Sequence, residues 1–168
     1  MGREDCRVTQ PQRITESEQI MLRVVNAQFF DNEMVTAQAF RLTKNDKDKL
    51  SVNQERKITP NEALEQKSAI LRARKQSEGK PFNPPPVVAR MTVREIEDIP
   101  LPTEEGELHD GEQPALSVWD DSMLEDTPDS HAYIDFGQAY PSKKRLKAIY
   151  NRLAAISNQN GKLFQPEQ

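Results

Sequence analysis

The chain contains a single cysteine, Cys6, so no internal disulfide framework can hold it together, and that usage fits a reducing compartment. A cytoplasmic location is expected. No run of 18 apolar residues occurs, so no membrane-spanning helix is expected. Residues 1–13 carry three arginines and no apolar run, so they are not expected to act as a signal peptide. Aromatic residues make up only 6%, sparse for base stacking, and no helix-turn-helix, zinc-finger or RNA-recognition signature occurs, which leaves a nucleic-acid partner weakly supported. Cys6 sits in a polar arm with no histidine near it in sequence, a poor setting for a nucleophile. No catalytic, metal or nucleotide motif is visible, and neither a metal nor a cofactor is expected.

A further absence is local. Residues 95–142 hold no lysine or arginine but fourteen acidic side chains. The whole chain has 27 Asp plus Glu against 23 Lys plus Arg, so the remainder carries 13 acids against 23 bases. Charges are screened beyond roughly 8 Å at physiological ionic strength. The acidic window and the basic remainder must therefore fold against each other or face different partners. An overall pI near 5.3 argues against nucleic acid.

At 168 residues one domain is expected. With 35% hydrophobic and 30% charged residues and a mean hydropathy of −0.82, part of the chain is expected outside the core. Seven of the twelve prolines fall between Pro81 and Pro114, where they exclude regular helix and central strand. The expected layout is a flexible arm over 1–13 followed by one domain over 14–168, with an acidic, Pro-containing loop at about 98–113.

Thr15-Glu16-Ser17-Glu18 has the form of a capping box and predicts a helix running toward the Asp31-Asn32 turn. Two short strands are predicted after it, in 34–42 and 49–52. Thr59-Pro60-Asn61-Glu62 is the clearest helix start, with Gly79 as its stop. Pro84-Pro85-Pro86 is extended, a strand over 87–91 follows, and Thr92-Val93-Arg94-Glu95 caps a short helix. Strands are predicted over 115–119 and 131–136, with Ala132, Ile134 and Phe136 facing the core and His131, Tyr133 and Asp135 facing away. A last helix over 142–158 ends near Gly161. These elements predict an α+β fold: a mixed or antiparallel sheet of four to five strands with about three helices on one face.

The densest reactive cluster is Asp126-Thr127-Pro128-Asp129-Ser130-His131, followed by Asp135. A carboxylate beside an imidazole can orient the ring as a general acid or base. The plainer reading is a strand-start histidine bonded to a neighbouring carboxylate. A metal would use His131 with Asp126, Asp129 or Asp135, but neither zinc spacing nor a calcium-loop pattern supports one. Arg41 and Ser51, with Thr36, lie on neighbouring strand candidates and supply a guanidinium and hydroxyls that can grip an anion together with His131. Trp119 can anchor an interface or belong to the core, with Asp120, Asp121, Asp129 and Asp135 as acidic contacts around it.

Thr36-Ala37-Gln38-Ala39-Phe40-Arg41, Leu50-Ser51-Val52, Ser130-His131-Ala132-Tyr133-Ile134-Asp135-Phe136 and Gly161-Lys162-Leu163-Phe164-Gln165-Pro166 together resemble a family of small bacterial proteins to which no reaction is assigned. The resemblance covers residues 25–166 and departs from the usual pattern at the acidic insert. It implies a bacterial cytoplasmic domain working beside an operon-encoded partner, and Arg41, Ser51 and His131 as the matching polar positions. The leading expectation is an accessory, protein-interaction module. The alternative is a small enzyme or toxin-like effector acting on a nucleotide or nucleic-acid phosphate, which requires those three side chains to meet around one ligand.

Overall fold

Ile20–Val25 (β2), expected within a helix, is a strand near the middle of the sheet. In the computed structural model, which describes residues 10–159 and 163–166, a turn in which the Gln19 N–H donates to the Glu16 carbonyl leads into it. Burial overrides the capping pattern. Met21 and Val25 enter the main core on one side of the sheet, while Ile20, Leu22 and Val24 pack into a smaller cluster on the other. A strand covered on both faces reads as a continuous apolar run without alternation.

The other strands are Gln12–Arg13 (β1), Phe30–Asp31 (β3), Met34–Val35 (β4), Lys49–Gln54 (β5), Val87–Thr92 (β6), Ser117–Asp120 (β7), His131–Asp135 (β8) and Leu163–Phe164 (β9). Seven of them form an antiparallel sheet in the order β1-β7-β8-β5-β2-β6-β9, and β3 and β4 form a separate hairpin. The four to five strands expected are thus too few. The predicted strand over 34–42 is also corrected: beyond Val35 the chain forms a 3-10 turn, Ala37–Phe40, that buries Ala39 and Phe40.

Helices lie on both faces of the sheet, not one. Val93–Glu97 (α2) and Lys143–Ser157 (α3) deliver Val93, Ile96, Ile149 and Leu153 to the main core with Phe40, Leu50, Ile134 and Phe136. Pro60–Glu78 (α1) covers the opposite face, where Ala63 and Leu64 meet Leu22 and Val88. Its start obeys the sequence signal: the Thr59 hydroxyl accepts from the Glu62 N–H at 3.1 Å while the Glu62 carboxylate accepts from the Thr59 N–H at 3.3 Å, and Gly79 closes the helix at φ +66°. Thr59→Ala should lower stability by about 1 kcal/mol in urea denaturation.

The acidic segment is tied down at its base. Pro100 bridges Pro114, the Leu101 N–H donates to the Gln113 carbonyl, and Arg145 Nε on α3 donates to the Pro102 carbonyl at 2.9 Å. Residues 1–9 of the expected arm and Gly161, the expected cap of α3, lie outside the described residues.

Candidate functional site

On the sheet face that carries α1, the helix packs over β2 and β6; across β5, β8 and β7 Ser51 is exposed, Asn53, His131 and Trp119 are half-buried and Tyr133 is buried. Ser51 and Asn53 of β5 lie opposite Tyr133 and His131 of β8, and Trp119 of β7 lies opposite Tyr133. Lys49 Nζ sits 5.1 Å from the Tyr133 ring centre and the Arg13 guanidinium 5.8 Å from that of Trp119, both cation–π contacts. Burial, then the carboxylates of Asp135, Asp121 and Asp48, raise the Tyr133 hydroxyl above its ordinary pKa.

Between this open area and α1 the sheet forks. β2 and β5 pair only at Met21 with Gln54 and Leu22 with Asn53, whereas β2 stays paired to β6 along its whole length. Arg23 holds the fork: its Nη1 donates to the Ser51 carbonyl at 2.8 Å and its Nε to the Ala39 carbonyl at 3.1 Å. A groove of about 230 Å³ results, with Ser51, Asn53 and His131 on one wall, Gln66, Lys67 and Ile70 of α1 on the other, and Leu22 and Val24 below. Burial, then repulsion from Arg23 and Arg74, lowers the pKa of the Lys67 ammonium, with Asp46 opposing weakly.

His131 opens β8 and places Nδ1 2.6 Å from Asp121 Oδ1. Because a carboxylate accepts, Nδ1 carries the proton and Nε2 is the nitrogen left for the groove. Ser130 Oγ donates to Asn53 Oδ1 at 3.0 Å, leaving the amide nitrogen of Asn53 free of it. Asp120 accepts from the Ser122 N–H at 2.9 Å, the Ser122 hydroxyl at 2.6 Å and Lys57 Nζ at 3.3 Å. Burial alone would raise the Asp120 pKa, but the bonds from Ser122 and the charge of Lys57 outweigh it and hold the carboxyl below its ordinary 3.8. A depressed folded-state pKa gives stability that is full above the unfolded value and lost as the pH falls through the folded one. Asp120→Asn should therefore flatten the fall in stability below about pH 4, measured by urea melts at several pH values.

The expected anion-binding trio does not assemble. Ser51 and His131 share the groove, but Arg41 ends the 3-10 turn that packs against α3 on the opposite side of the sheet. Arg23 lines the groove from within the fork, its guanidinium bonded to Ser51 and, toward the main-core side, to Ala39, and the cation on the α1 wall is Lys67. An arginine inside the apolar run Ile-Met-Leu-Arg-Val-Val was the available signal. Asp135 lies at the far end of β8, where it accepts from the Gly137 N–H at 2.7 Å. Trp119 is partly buried and donates from Nε1 to Ser117 at 2.8 Å. Among the described residues, no group of three or more His, Cys, Asp or Glu side chains is placed to hold a metal, and no helix is long and apolar enough to cross a membrane.

The loop between β7 and β8, residues 121–130, forms the acidic end of the molecule. It carries Asp121, Glu125, Asp126 and Asp129 together with Met123, which is 64% exposed. Its roots are fixed by the Asp121–His131, Ser130–Asn53 and Lys57–Ser122 bonds, the last at 2.7 Å. Met123, Leu124, Thr127 and Asp129 line an open hollow there with Lys57. Comparison with protein-family models, curated proteins and solved structures returns no match.

Proposed function

We propose that the protein is an interaction module that docks a basic segment of a protein partner on the acidic loop between β7 and β8. The observation that carries this reading is the exposed Met123 on a loop fastened at both roots, whose Glu125, Asp126 and Asp129 make no ion pair among the described residues. Interfaces concentrate their energy in a few apolar anchors within a polar rim, and Met adapts to irregular pockets. A loop already fixed loses little conformational freedom on binding. Among the described residues four ion pairs join the acidic window to the rest of the chain, Lys144–Glu105 at 3.0 Å, Lys57–Asp120 at 3.3 Å, Arg56–Asp120 at 3.9 Å and Arg13–Glu97, and none of them engages Glu125, Asp126 or Asp129 of the loop. The resemblance to small bacterial proteins with no assigned reaction implies a partner encoded beside this chain. Placement of Arg41 away from Ser51 and His131 weighs against the phosphate-cleaving alternative in the form the sequence posed it.

The test is capture of the product of the adjacent gene, with Asp126→Lys, Asp129→Lys and Met123→Ala variants compared with wild type at rising salt. Binding should weaken with salt and in each loop variant, with charge reversal of one rim residue acting chiefly on the association rate. Full retention by all three variants would reject the loop as the docking surface.

A further inference from the structure

The face of α1 turned toward the sheet changes character along its length. Ala63 and Leu64 are buried, but the positions that follow on that side are Lys67, Ile70, Leu71 and Arg74, and Ile70 is 56% exposed. An amphipathic helix lying on a sheet ordinarily directs its apolar stripe inward. Here the stripe turns basic where β2 and β5 separate. The helix stands off from the sheet at that point and the groove opens beneath it.

Lys67, Arg23 and Arg74 make no ion pair among the described residues. Arg23 spends two of its donors on backbone carbonyls, and the carboxylate acting on it and on Lys67 is that of Asp46, too distant for a salt bridge. Burial and mutual repulsion among these cations raise the energy of the empty groove, and an anion beside Lys67 removes part of that cost. The uncharged groups there suit an oxygen-rich ligand. Ser51 offers a hydroxyl, Asn53 keeps its NH₂ end because Ser130 occupies its oxygen, and His131 keeps Nε2 because Asp121 occupies Nδ1. The floor and rim, Leu22, Val24, Ile70 and Pro128, are apolar.

We propose that this groove binds a small organic phosphate, its phosphoryl oxygens between Lys67, Ser51 and Asn53 and its organic part against Val24 and Ile70. Phosphate is favoured over carboxylate because the donors lie on opposite walls, Lys67 on one and Ser51 and Asn53 on the other, a gap that tetrahedrally disposed phosphoryl oxygens span better than two coplanar ones. The groove meets the acidic loop only at Pro128 and through the Asp121–His131 and Ser130–Asn53 bonds, and its occupancy is read with a small ligand and no protein partner, so it stands or falls apart from the docking proposed above.

Phenyl phosphate is a suitable probe, followed by calorimetry and by backbone amide shifts. Wild type should bind it at millimolar or lower concentration, more tightly than inorganic phosphate, with shifts centred on Ser51, Asn53 and Lys67. Lys67→Ala should weaken binding at least about tenfold, the loss expected for one charge-assisted hydrogen bond. Ser51→Asp, which places a carboxylate in the groove, should abolish it, and Arg41→Ala should leave it unchanged. Folding of each variant is checked by thermal melt. Absence of binding in wild type, equal affinity in Lys67→Ala, or shifts centred elsewhere would overturn the proposal. Equal affinity for inorganic phosphate would overturn its organic part.

Discussion

Phe136→Ala is expected to destabilise the protein by about 3–5 kcal/mol, the range for removing a fully buried aromatic side chain. Domains of this kind are stable by only about 5–15 kcal/mol, so the variant should melt far below wild type and unfold at much lower urea. Phe136 follows the last residue of β8, has no exposed surface, and packs with Leu50, Ile134 and Ile149 in the main core. Its ring lies 5.9 Å from that of Tyr150 at an angle of 56°, a tilted contact that aromatic pairs favour. Tyr150 in turn accepts the Leu42 N–H at 3.1 Å, so the pair ties β8, α3 and the segment after the 3-10 turn together. Emptying the site leaves a cavity and frees Tyr150 to move. Phe136→Leu should recover about half of the loss by filling most of the volume. A loss below about 1 kcal/mol in Phe136→Ala would show that the core collapses around the gap.

Alternation over 131–136 made that residue's burial legible beforehand: Ala132, Ile134 and Phe136 enter the core, while His131, Tyr133 and Asp135 share the other face. The caps at Thr59 and Thr92 were equally readable, because a hydroxyl followed three residues later by Glu satisfies first-turn amides on local geometry alone. Thr15-x-x-Glu18 has the same local form and failed because Ile20–Val25, just beyond it, is covered on both faces by layers that only the tertiary fold supplies. Sheet size was underestimated for another reason. β1 and β9 are two residues each and too short to show a period, though their pairing closes the two edges. For the groove, Ser51 and His131 were found from residue chemistry, but the cations facing them were not. Arg41 belongs to a segment that the sequence predicts as a strand beside that of Ser51 but that folds as a 3-10 turn, while Arg23 reaches Ser51 through strand pairing and Lys67 comes from a helix on the covered half of that face. The charge division was visible in composition; the fastening of the acidic loop depends on Asp121, Ser122 and Ser130 finding partners on β5, β8 and the turn at Lys57.

Arg23→Met should cost about 2–3 kcal/mol, since it removes two hydrogen bonds from a charged donor and leaves both carbonyls to find water. The Ser51 carbonyl lies at the open fork and can be hydrated; the Ala39 carbonyl is partly buried in the turn against α3 and is the costlier of the two. The methionine stem keeps most of the packing, so the measured change isolates the guanidinium. Arg23→Lys should fall between, because an ammonium can bond one carbonyl but lacks the fork that spans both. The urea midpoint should drop with the slope unchanged if the sheet stays intact. Hydrogen exchange should also quicken in β5 near Ser51 and in the turn at Ala37–Phe40, the two segments that the guanidinium joins, while β6 and β9 keep their protection. A loss under about 0.5 kcal/mol, or exchange that quickens evenly across the sheet, would mean that the fork is held open by α1 and not by Arg23.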